Sequence, residues 1–224
     1  MNNEEAYFHK DDEVECRTTR FNKPVEVLQE ICHEIEAIGE AFITNKGERI
    51  PFREDNDNSC FTFVISGHFS VYRKYDHLLM HSSSAPSLFG MVEFFQPRNA
   101  HYVLAETECS CIKVNAKLAC ELFTKNGSWE KICQIQVYFI QVLQTRDFQL
   151  VGVNAYLIIK NKLLELLQEP EDFRIKQSVL LYIQLRSKLS KSLISKILSA
   201  LRVGGYIDMK KGKLIAVNHL PKDY

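Results

Sequence analysis

The chain of 224 residues carries 28 lysines and arginines against 28 aspartates and glutamates, and 46% of its residues are hydrophobic. This composition supports one large or two small packed domains and excludes a polycation that binds nucleic acid along its whole length. The first twenty residues are charged rather than signal-like, and no apolar run approaches the roughly 20 residues that span a bilayer, so we expect a cytoplasmic protein that does not bind membranes. The seven cysteines are odd in number and scattered among apolar neighbours, which favours reduced thiols.

The first half of the chain combines a helical pattern with a series of short β-rich pieces. Residues 1–21 are predicted to form a polar N-terminal segment, and Pro24 then opens a helical pattern with apolar residues on one side. From about Ala41 the period changes to short β-rich pieces separated by Gly, Asn and Asp turn signals, a spacing that predicts an antiparallel sandwich or barrel. We therefore predict a β-barrel domain with an N-terminal helix over residues 22–125, with strands at 41–43, 49–52, 60–65, 69–72, 78–81, 88–89, 101–105 and 109–114.

Residues 126–153 return to a helical period, with apolar side chains on more than one face of the helix. An amphipathic helix needs one apolar stripe, so a second stripe implies a second partner. One stripe can cover the barrel while the other meets its own copy across a twofold axis; a helix buried wholly within a monomer is the alternative. We predict a dimerisation helix whose interface residues are Ile132, Ile135, Phe139, Val142 and Leu143.

Residues 154–224 carry the pattern of a winged helix-turn-helix. Ser190 can cap a helix whose apolar residues form one stripe, and Gly204-Gly205 ends that helix before a short basic hairpin with the shape of a wing. The predicted elements are a helix at 155–168, a loop at 169–172, the first helix of the motif at 178–187, a turn at 188–189, a second helix with its stripe at 193, 194, 197, 198 and 201, and wing strands at 206–209 and 213–217.

The second helix of this motif presents lysine and serine, and no carboxylate, on its first turns. From Arg174 to Lys213 the chain has ten lysines or arginines against a single acid, Asp208. A local cationic face on a neutral chain is typical of a DNA-binding module attached to another domain, and a solvated helical face is the alternative. The predicted partner is double-stranded DNA, and the helix residues expected to contact it are Ser190, Lys191, Ser192, Ser195 and Lys196.

The order of a β-barrel, a long helix with a dimer face and a winged helix-turn-helix resembles the Crp/Fnr superfamily of bacterial transcription regulators. The resemblance covers about residues 40–218, and it depends most on Phe63–Val71, the Leu88-Phe89-Gly90 turn and Ser190–Ile207. It is closest to the enterobacterial Crp-like subgroup named for inhibition of hydrogen peroxide resistance. The resemblance implies an α+β fold with a cyclic-nucleotide-binding-like barrel of the jelly-roll type, and a homodimer that regulates transcription. It also implies RNA polymerase as a further candidate partner and a role in the response to oxidative stress.

In this superfamily the recognition helix enters the major groove, where its cations contact guanine edges and phosphates. By position, Lys191 and Lys196 fall where the family often carries arginine, and Ser192 where it often carries glutamate. Lysine lacks the planar fork of arginine, and serine lacks the carboxylate that accepts from cytosine, so the target sequence is expected to differ from that of Crp itself. The wing lysines are expected to lie on phosphates and to add affinity and salt dependence; they are Lys210, Lys211 and Lys213.

Members of the superfamily that bind cyclic nucleotides use a Gly-Glu pair for the ribose hydroxyl and an Arg-Ser or Arg-Thr pair for the cyclic phosphate. Here Gly90 is followed by Met91, whose thioether cannot replace the hydrogen bonds of a carboxylate. The phosphate pair falls on about Asn99-Ala100, and Arg98 stands one residue away, so that a register shift would restore the cation. We expect a degenerate pocket that binds neither cyclic AMP nor cyclic GMP, no cofactor, and an effector that the sequence does not identify.

Two alternatives to a constitutive DNA-binding regulator stay open. One is a regulator of the same fold that is switched by a ligand or by redox chemistry, since Cys109-x-Cys111 places two thiols on one face of a strand; buried core thiols are the other interpretation of that pair. The second is a cupin-like metalloenzyme with ligands from His77, His81 and His101, although no ligand motif of the expected spacing is present. The sequence has no nucleophile elbow, phosphate loop or acid/base pair of carboxylates, so we predict no enzyme and no metal site.

Overall fold

The computed structural model describes residues 22–52, 59–97 and 100–221. Contacts divide these residues into two compact units, 22–142 and 143–221, and the division falls within a long helix. The polar N-terminal segment predicted at 1–21 lies outside the described residues, and the predicted domain limits stay predictions. In the described part of the chain, no helix is both long and apolar enough to cross a membrane.

The first unit contains two four-stranded antiparallel sheets. The strands are β1 (Glu40–Thr44), β2 (Arg49–Ile50), β3 (Cys60–Ser66), β4 (His68–Arg73), β5 (Leu79–Ser84), β6 (Ser87–Phe89), β7 (His101–Ala105) and β8 (Cys109–Asn115). Their order is β1-β8-β3-β6 in one sheet and β2-β7-β4-β5 in the other, which is the strand order of a jelly roll. The structure thus confirms the predicted fold class, and every predicted strand is present within a few residues.

The inward faces of both sheets supply the core of this sandwich. Val64 lies opposite Cys111 across the β3–β8 pair, and Phe69 lies opposite Ala105 across the β4–β7 pair. All four side chains are buried in one apolar cluster, because alternate residues of a strand point to the same face. These strands were predicted from short β-rich pieces between turn signals, and the structure places the apolar residues of those pieces in the core.

The helices of the first unit are α1 (Val25–Glu36), α2 (Met91–Phe95), α3 (Ala116–Asn126) and most of α4 (Trp129–Leu150). The sequence analysis placed no helix at α3. Asn115 caps it, because its side-chain oxygen accepts hydrogen bonds from the N–H groups of Lys117 and Leu118 at 3.0 and 3.2 Å. Ala119 and Phe123, four residues apart, are buried on one side of the helix.

One side of α4 belongs to the core of its own chain. Ile132 and Ile135 are almost fully buried there, so the prediction that these two residues contact a second subunit is wrong. Phe139 and Val142 are half-buried, and Phe139 packs against the same core. Of the predicted interface residues, Leu143 is the exposed one, with 46% of its surface accessible. The sequence shows two apolar stripes, but only the folded chain shows which of them its own core covers.

The second unit begins with the end of α4 and continues as a winged helix-turn-helix. Its further elements are α5 (Ala155–Leu167), α6 (Glu171–Arg174), α7 (Val179–Ser187), α8 (Lys191–Val203), β9 (Ile207–Lys210) and β10 (Lys213–Val217). A loop was predicted at 169–172, but the carbonyl of Pro170 accepts hydrogen bonds from the N–H groups of Phe173 and Arg174, which forms the short helix α6. Ile159, Ile183 and Leu201 lie fully buried in the common core of α5, α7 and α8.

Candidate nucleic-acid interface

The turn between α7 and α8 fixes where the recognition helix begins. Lys188 ends α7 in the left-handed conformation, with φ of 62°, and Ser190 returns to extended backbone. The Ser190 hydroxyl accepts a hydrogen bond from the N–H of Leu193 at 3.2 Å and caps the helix as predicted. At its other end, Gly205 has φ of 71°, and the N–H of Tyr206 donates to the carbonyl of Leu201, which closes the helix in a Schellman arrangement.

One side of α8 is buried and the opposite side is exposed. Ile194, Ile197, Leu198 and Leu201 pack into the core of the second unit, as their spacing predicted. Leu193 was placed in the same stripe, but 37% of its surface is accessible. At about 100° per residue, Leu193 stands about 90° from the centre of the buried side, and it therefore lies at the border.

The exposed side of α8 carries the residues predicted to contact DNA. The structure leaves Lys191, Ser192, Ser195 and Lys196 exposed. Ser192 and Lys196 lie almost opposite the buried stripe, and Ser199 extends the same side by one turn. The sequence analysis did not select Ser199, although its spacing of four residues from Ser195 would have indicated it.

The wing is a hairpin with a two-residue turn. Lys211 and Gly212 have φ of 50° and 77°, the pattern of a type I′ turn, which suits the twist of paired strands. The carbonyl of Gly212 accepts a hydrogen bond from the N–H of Val179 at 3.0 Å, so the turn is joined to the start of α7. Lys210 and Lys211 are exposed at this tip.

Lys213 differs from the other wing lysines. It is half-buried, and its Nζ donates to the carbonyl of Lys176 at 2.5 Å. Lys191, Lys196, Lys210 and Lys211, in contrast, form no ion pair with any described residue. The ammonium groups of Lys191, Lys196, Lys210 and Lys211 are therefore free for an anion from outside the described chain, whereas that of Lys213, beside the turn, joins the wing to the carbonyl of Lys176.

The turn predicted to be a degenerate effector pocket opens α2. Gly90 has φ of 102°, and a Cβ at this position would collide with the carbonyl oxygen of Cys60. Met91 is 6% exposed and belongs to an apolar core, where an ionised carboxylate would lose its contact with water at a large cost in free energy. Arg98 and Asn99 lie outside the described residues. Ala100 is exposed, and its carbonyl accepts from the N–H of Lys74.

A buried carboxylate does stand near this turn, at a position that the sequence analysis did not select. Glu93 is buried, and its Oε1 lies 3.5 Å from Nε2 of His101 at the start of β7. The imidazole of His101 stacks on Phe52, with ring centroids 5.4 Å apart. Glu93 is therefore held by an internal partner. An acidic residue two positions after Met91 is the only sequence signal that could have indicated it.

Cys109 and Cys111 lie on one face of β8 inside the sandwich core, as their spacing predicted. Burial raises the pKa of the Cys111 thiol to about 11, and the neighbouring Cys109 adds to the shift. Burial also raises the pKa of Cys109. Both thiols therefore stay protonated near neutral pH, which disfavours thiolate chemistry. Across the described ranges, no three His, Cys, Asp or Glu residues are arranged to hold a metal ion.

Comparisons with known proteins agree with this architecture. A family model described as winged helix-turn-helix DNA binding matches residues 155–222. The Inhibitor of hydrogen peroxide resistance of Escherichia coli (strain K12) is 30% identical over 203 residues, which cover 90% of this chain and 98% of that protein. The protein of the same name from Salmonella typhimurium is 34% identical over 192 residues, which cover 81% of this chain and 92% of that protein.

Solved structures share the fold at lower identity. The c-di-GMP responsive global regulator CLP of Xanthomonas campestris is similar with a TM-score of 0.69 at 15% identity, over 85% of this chain and 99% of that one. A CooA mutant from Carboxydothermus hydrogenoformans has a TM-score of 0.62 at 13% identity, over 91% and 94% of the two chains. With relatives at 30% identity or more over nearly their whole length, the chain belongs to the Inhibitor of hydrogen peroxide resistance family.

Proposed function

We propose that two copies of this chain bind double-stranded DNA in a sequence-specific manner and regulate transcription. The observation that supports this most is the side of α8 that carries Ser192, Ser195 and Lys196, with Lys191 exposed at the first residue of the helix. It is exposed and without carboxylates, on a helix that the core anchors by its opposite side. Such a helix fits the major groove with its N-terminal residues toward the base edges.

The lysines of α8 and the lysines of the wing are expected to contact different parts of the DNA. Lys196 and the serines of α8 would meet base edges, where lysine contacts guanine O6 or N7. Lys210 and Lys211, at the tip of a rigid turn, would meet phosphates, which adds affinity and salt dependence without selecting a sequence. We expect Lys213 to support the wing rather than to bind phosphate, because its ammonium already donates to the carbonyl of Lys176.

The dimer is proposed to form through the exposed side of α4. Val137 and Ile140 are 51% and 52% exposed, and Cys133 precedes them on the same side. Cys133, Val137 and Ile140 are four and three residues apart, which is the spacing of the apolar seam along which two helices pair in a coiled coil. A twofold axis beside this seam would place the same patch of both subunits in contact. Half-sites would then be separated by about one turn of DNA, or 34–36 Å.

We further propose that the first unit does not respond to cyclic AMP or GMP. Met91 lies in an apolar core, and Glu93 is paired with His101, so neither supplies a carboxylate to a ribose. The names of the relatives support a role in the response to hydrogen peroxide. We propose that the chain acts in the cytoplasm and that RNA polymerase is a further partner. The raised pKa values of Cys109 and Cys111 favour a scaffold, or a sensor of another ligand, over a redox switch at these thiols.

Fluorescence anisotropy with duplexes selected from fragmented genomic DNA tests the DNA-binding proposal. Lys196→Ala is expected to weaken binding by about 1–3 kcal/mol, roughly five- to 150-fold, and to relax selectivity at one base position. Lys117→Ala and Lys125→Ala are matched controls, because both remove an exposed lysine from the first unit. Binding that does not fall with salt, or that falls equally in the controls, would contradict the proposal.

A further inference from the structure

A buried polar network joins three helices of the second unit. Lys162, on α5, is 5% exposed, and its ammonium donates to Oε1 of Gln149 at 2.7 Å and to Oε2 of Glu165 at 2.6 Å. The Tyr182 hydroxyl, on α7, donates to the second oxygen of Glu165 at 2.8 Å. Gln149 lies in the last turn of α4, so the network connects the end of the long helix to the scaffold of the helix-turn-helix.

The charges of this network are costly to bury. Burial lowers the pKa of Lys162, against the effect of Glu165, which favours the ammonium. For Glu165, burial acts to raise the pKa, but Lys162, Arg186 and the Tyr182 hydroxyl together outweigh burial, and the pKa lies below the ordinary carboxyl value. Arg186 stacks on the Tyr182 ring at 3.7 Å. Since apolar residues of similar volume often stabilise a core as well as a buried ion pair does, stability alone does not account for these residues.

The hydrogen bond between Lys162 and Gln149 restricts the angle between α5 and the last turn of α4. α4 ends at Leu150, and the connection to α5 contains Gly152 with φ of 68°, a backbone conformation that glycine adopts freely. Gln149 is buried in the turn just before that connection. An apolar contact there would permit α4 to rotate against α5, whereas the hydrogen bond from Lys162 to Gln149 specifies one orientation.

We propose that Gln149 and Lys162 are positioning residues that set the angle between the last turn of α4 and the recognition helix. They thereby set the half-site spacing that the dimer accepts. The spacing part of this inference rests on the proposed function, because it needs a dimer on two half-sites. The angle part concerns one chain and stands without DNA.

Distances between two spin labels within one chain test the angle directly. Labels at Gln144→Cys on α4 and Ser199→Cys on α8 occupy exposed positions of the second unit, in a full-length chain where Cys16, Cys120 and Cys133 are serine. Gln149→Leu keeps the burial but removes the bond to α4, and it is expected to broaden the distance distribution at least twofold. Tyr182→Phe removes another bond of the same network and is the matched control, for which we expect an unchanged distribution.

An unchanged width in Gln149→Leu would overturn the inference, and so would equal broadening in Tyr182→Phe. Circular dichroism melting shows whether each variant is folded. If Gln149→Leu does not fold, the double variant Gln149→Leu/Lys162→Met, which replaces both partners by apolar side chains, gives the same test. Mixing labelled with unlabelled chains removes distances between subunits. Because Gln144 follows Ile140 by one turn on the proposed seam, the distances are measured at protein concentrations where the labelled chain is monomeric.

DNA duplexes with altered half-site spacing test the consequence. Sites selected from a random duplex pool by the wild-type protein are rebuilt with one or two base pairs inserted at the centre. The wild type is expected to lose at least tenfold in affinity on insertion, and Gln149→Leu less than threefold. Equal losses would overturn the role in spacing. If the wild type selects no duplex, the proposed function fails, while the spin-label distances still decide whether Gln149 fixes the angle.

Discussion

The two sides of α4 can be separated by mutation, because one side is in the core of its own chain and the other is exposed. Val137 and Ile140 are each about half exposed. Burial of the exposed half of each side chain in the dimer interface stabilises the dimer by about 1 kcal/mol, which is half of the roughly 1.5–3 kcal/mol for complete burial of such a side chain. Two side chains from each of two subunits give about 4 kcal/mol. The double variant Val137→Ser/Ile140→Ser is therefore expected to raise the dimer dissociation constant close to a thousandfold.

Sedimentation equilibrium measures the dissociation constant, and urea unfolding of the variants at low protein concentration measures the stability of the single chain. Ile135→Ala is the matched control, because Ile135 is fully buried in the core of its own chain. It is expected to lower the free energy of unfolding by about 2–5 kcal/mol through the cavity that it leaves. The reasoning is refuted if Ile135→Ala dissociates the dimer without loss of stability, or if the double serine variant stays dimeric.

The remaining predictions concern the wing, the thiols and the half-buried carboxylate of Glu165. Lys210→Ala/Lys211→Ala is expected to weaken binding to all duplexes by a similar factor and to reduce the salt slope by about one per lost phosphate contact; anisotropy at several salt concentrations checks this, and a loss confined to one sequence would contradict it. At protein concentrations where the chain is monomeric, Cys133, which is exposed in the single chain, is expected to react with iodoacetamide, and Cys111, whose pKa burial raises to about 11, only after unfolding; mass spectrometry distinguishes the two, and rapid modification of Cys111 would restore the redox alternative. Glu165→Gln is expected to flatten the loss of stability in acid. Burial raises the pKa of Glu165, but Lys162, Arg186 and Tyr182 together lower it below the ordinary carboxyl value, so the stabilisation by Glu165 is present above the ordinary carboxyl pKa and is lost as pH falls through the lowered value. Urea unfolding between pH 7 and pH 3 measures this, and equal slopes in both proteins would count against it.

The strands and the recognition helix could be predicted because their local patterns agree with the tertiary packing. In β8, the residues at 109, 111, 112 and 114 are buried, close to the alternation that the sequence carries. In α8, the cap at Ser190 and a narrow apolar stripe define the start of the helix and its buried side. Each of these elements packs against one neighbouring layer, so the spacing of its apolar residues is sufficient to predict which of its faces is buried.

The predictions from the sequence were wrong where one helix has two apolar faces, and incomplete where a residue that caps a helix was not considered. The two stripes of α4 are chemically alike, so the sequence could not indicate which one covers Ile135 and which one exposes Ile140. The helix α3 follows β8 directly, and its cap at Asn115 was assigned to the barrel although Ala116, Ala119 and Phe123 have helical spacing. The contact between Glu93 and His101 depends on how α2 and β7 approach each other, which no local pattern encodes.

The same considerations limit how much of the cationic charge of the second unit can reach DNA. Of the ten lysines and arginines between Arg174 and Lys213, at least three donate to carbonyl groups of the described chain: Arg174 to Leu167, Arg186 to Tyr182, and Lys213 to Lys176. Replacing one of these three is expected to alter the fold before it alters DNA binding, whereas Lys191, Lys196, Lys210 and Lys211 are exposed and can be replaced at little cost in stability. At about 0.9 per neutralised phosphate, the salt slope should therefore not exceed roughly 6 per subunit, although the sequence alone would permit about 9. A steeper measured slope would mean that the internal donors leave their carbonyl partners when the protein binds DNA.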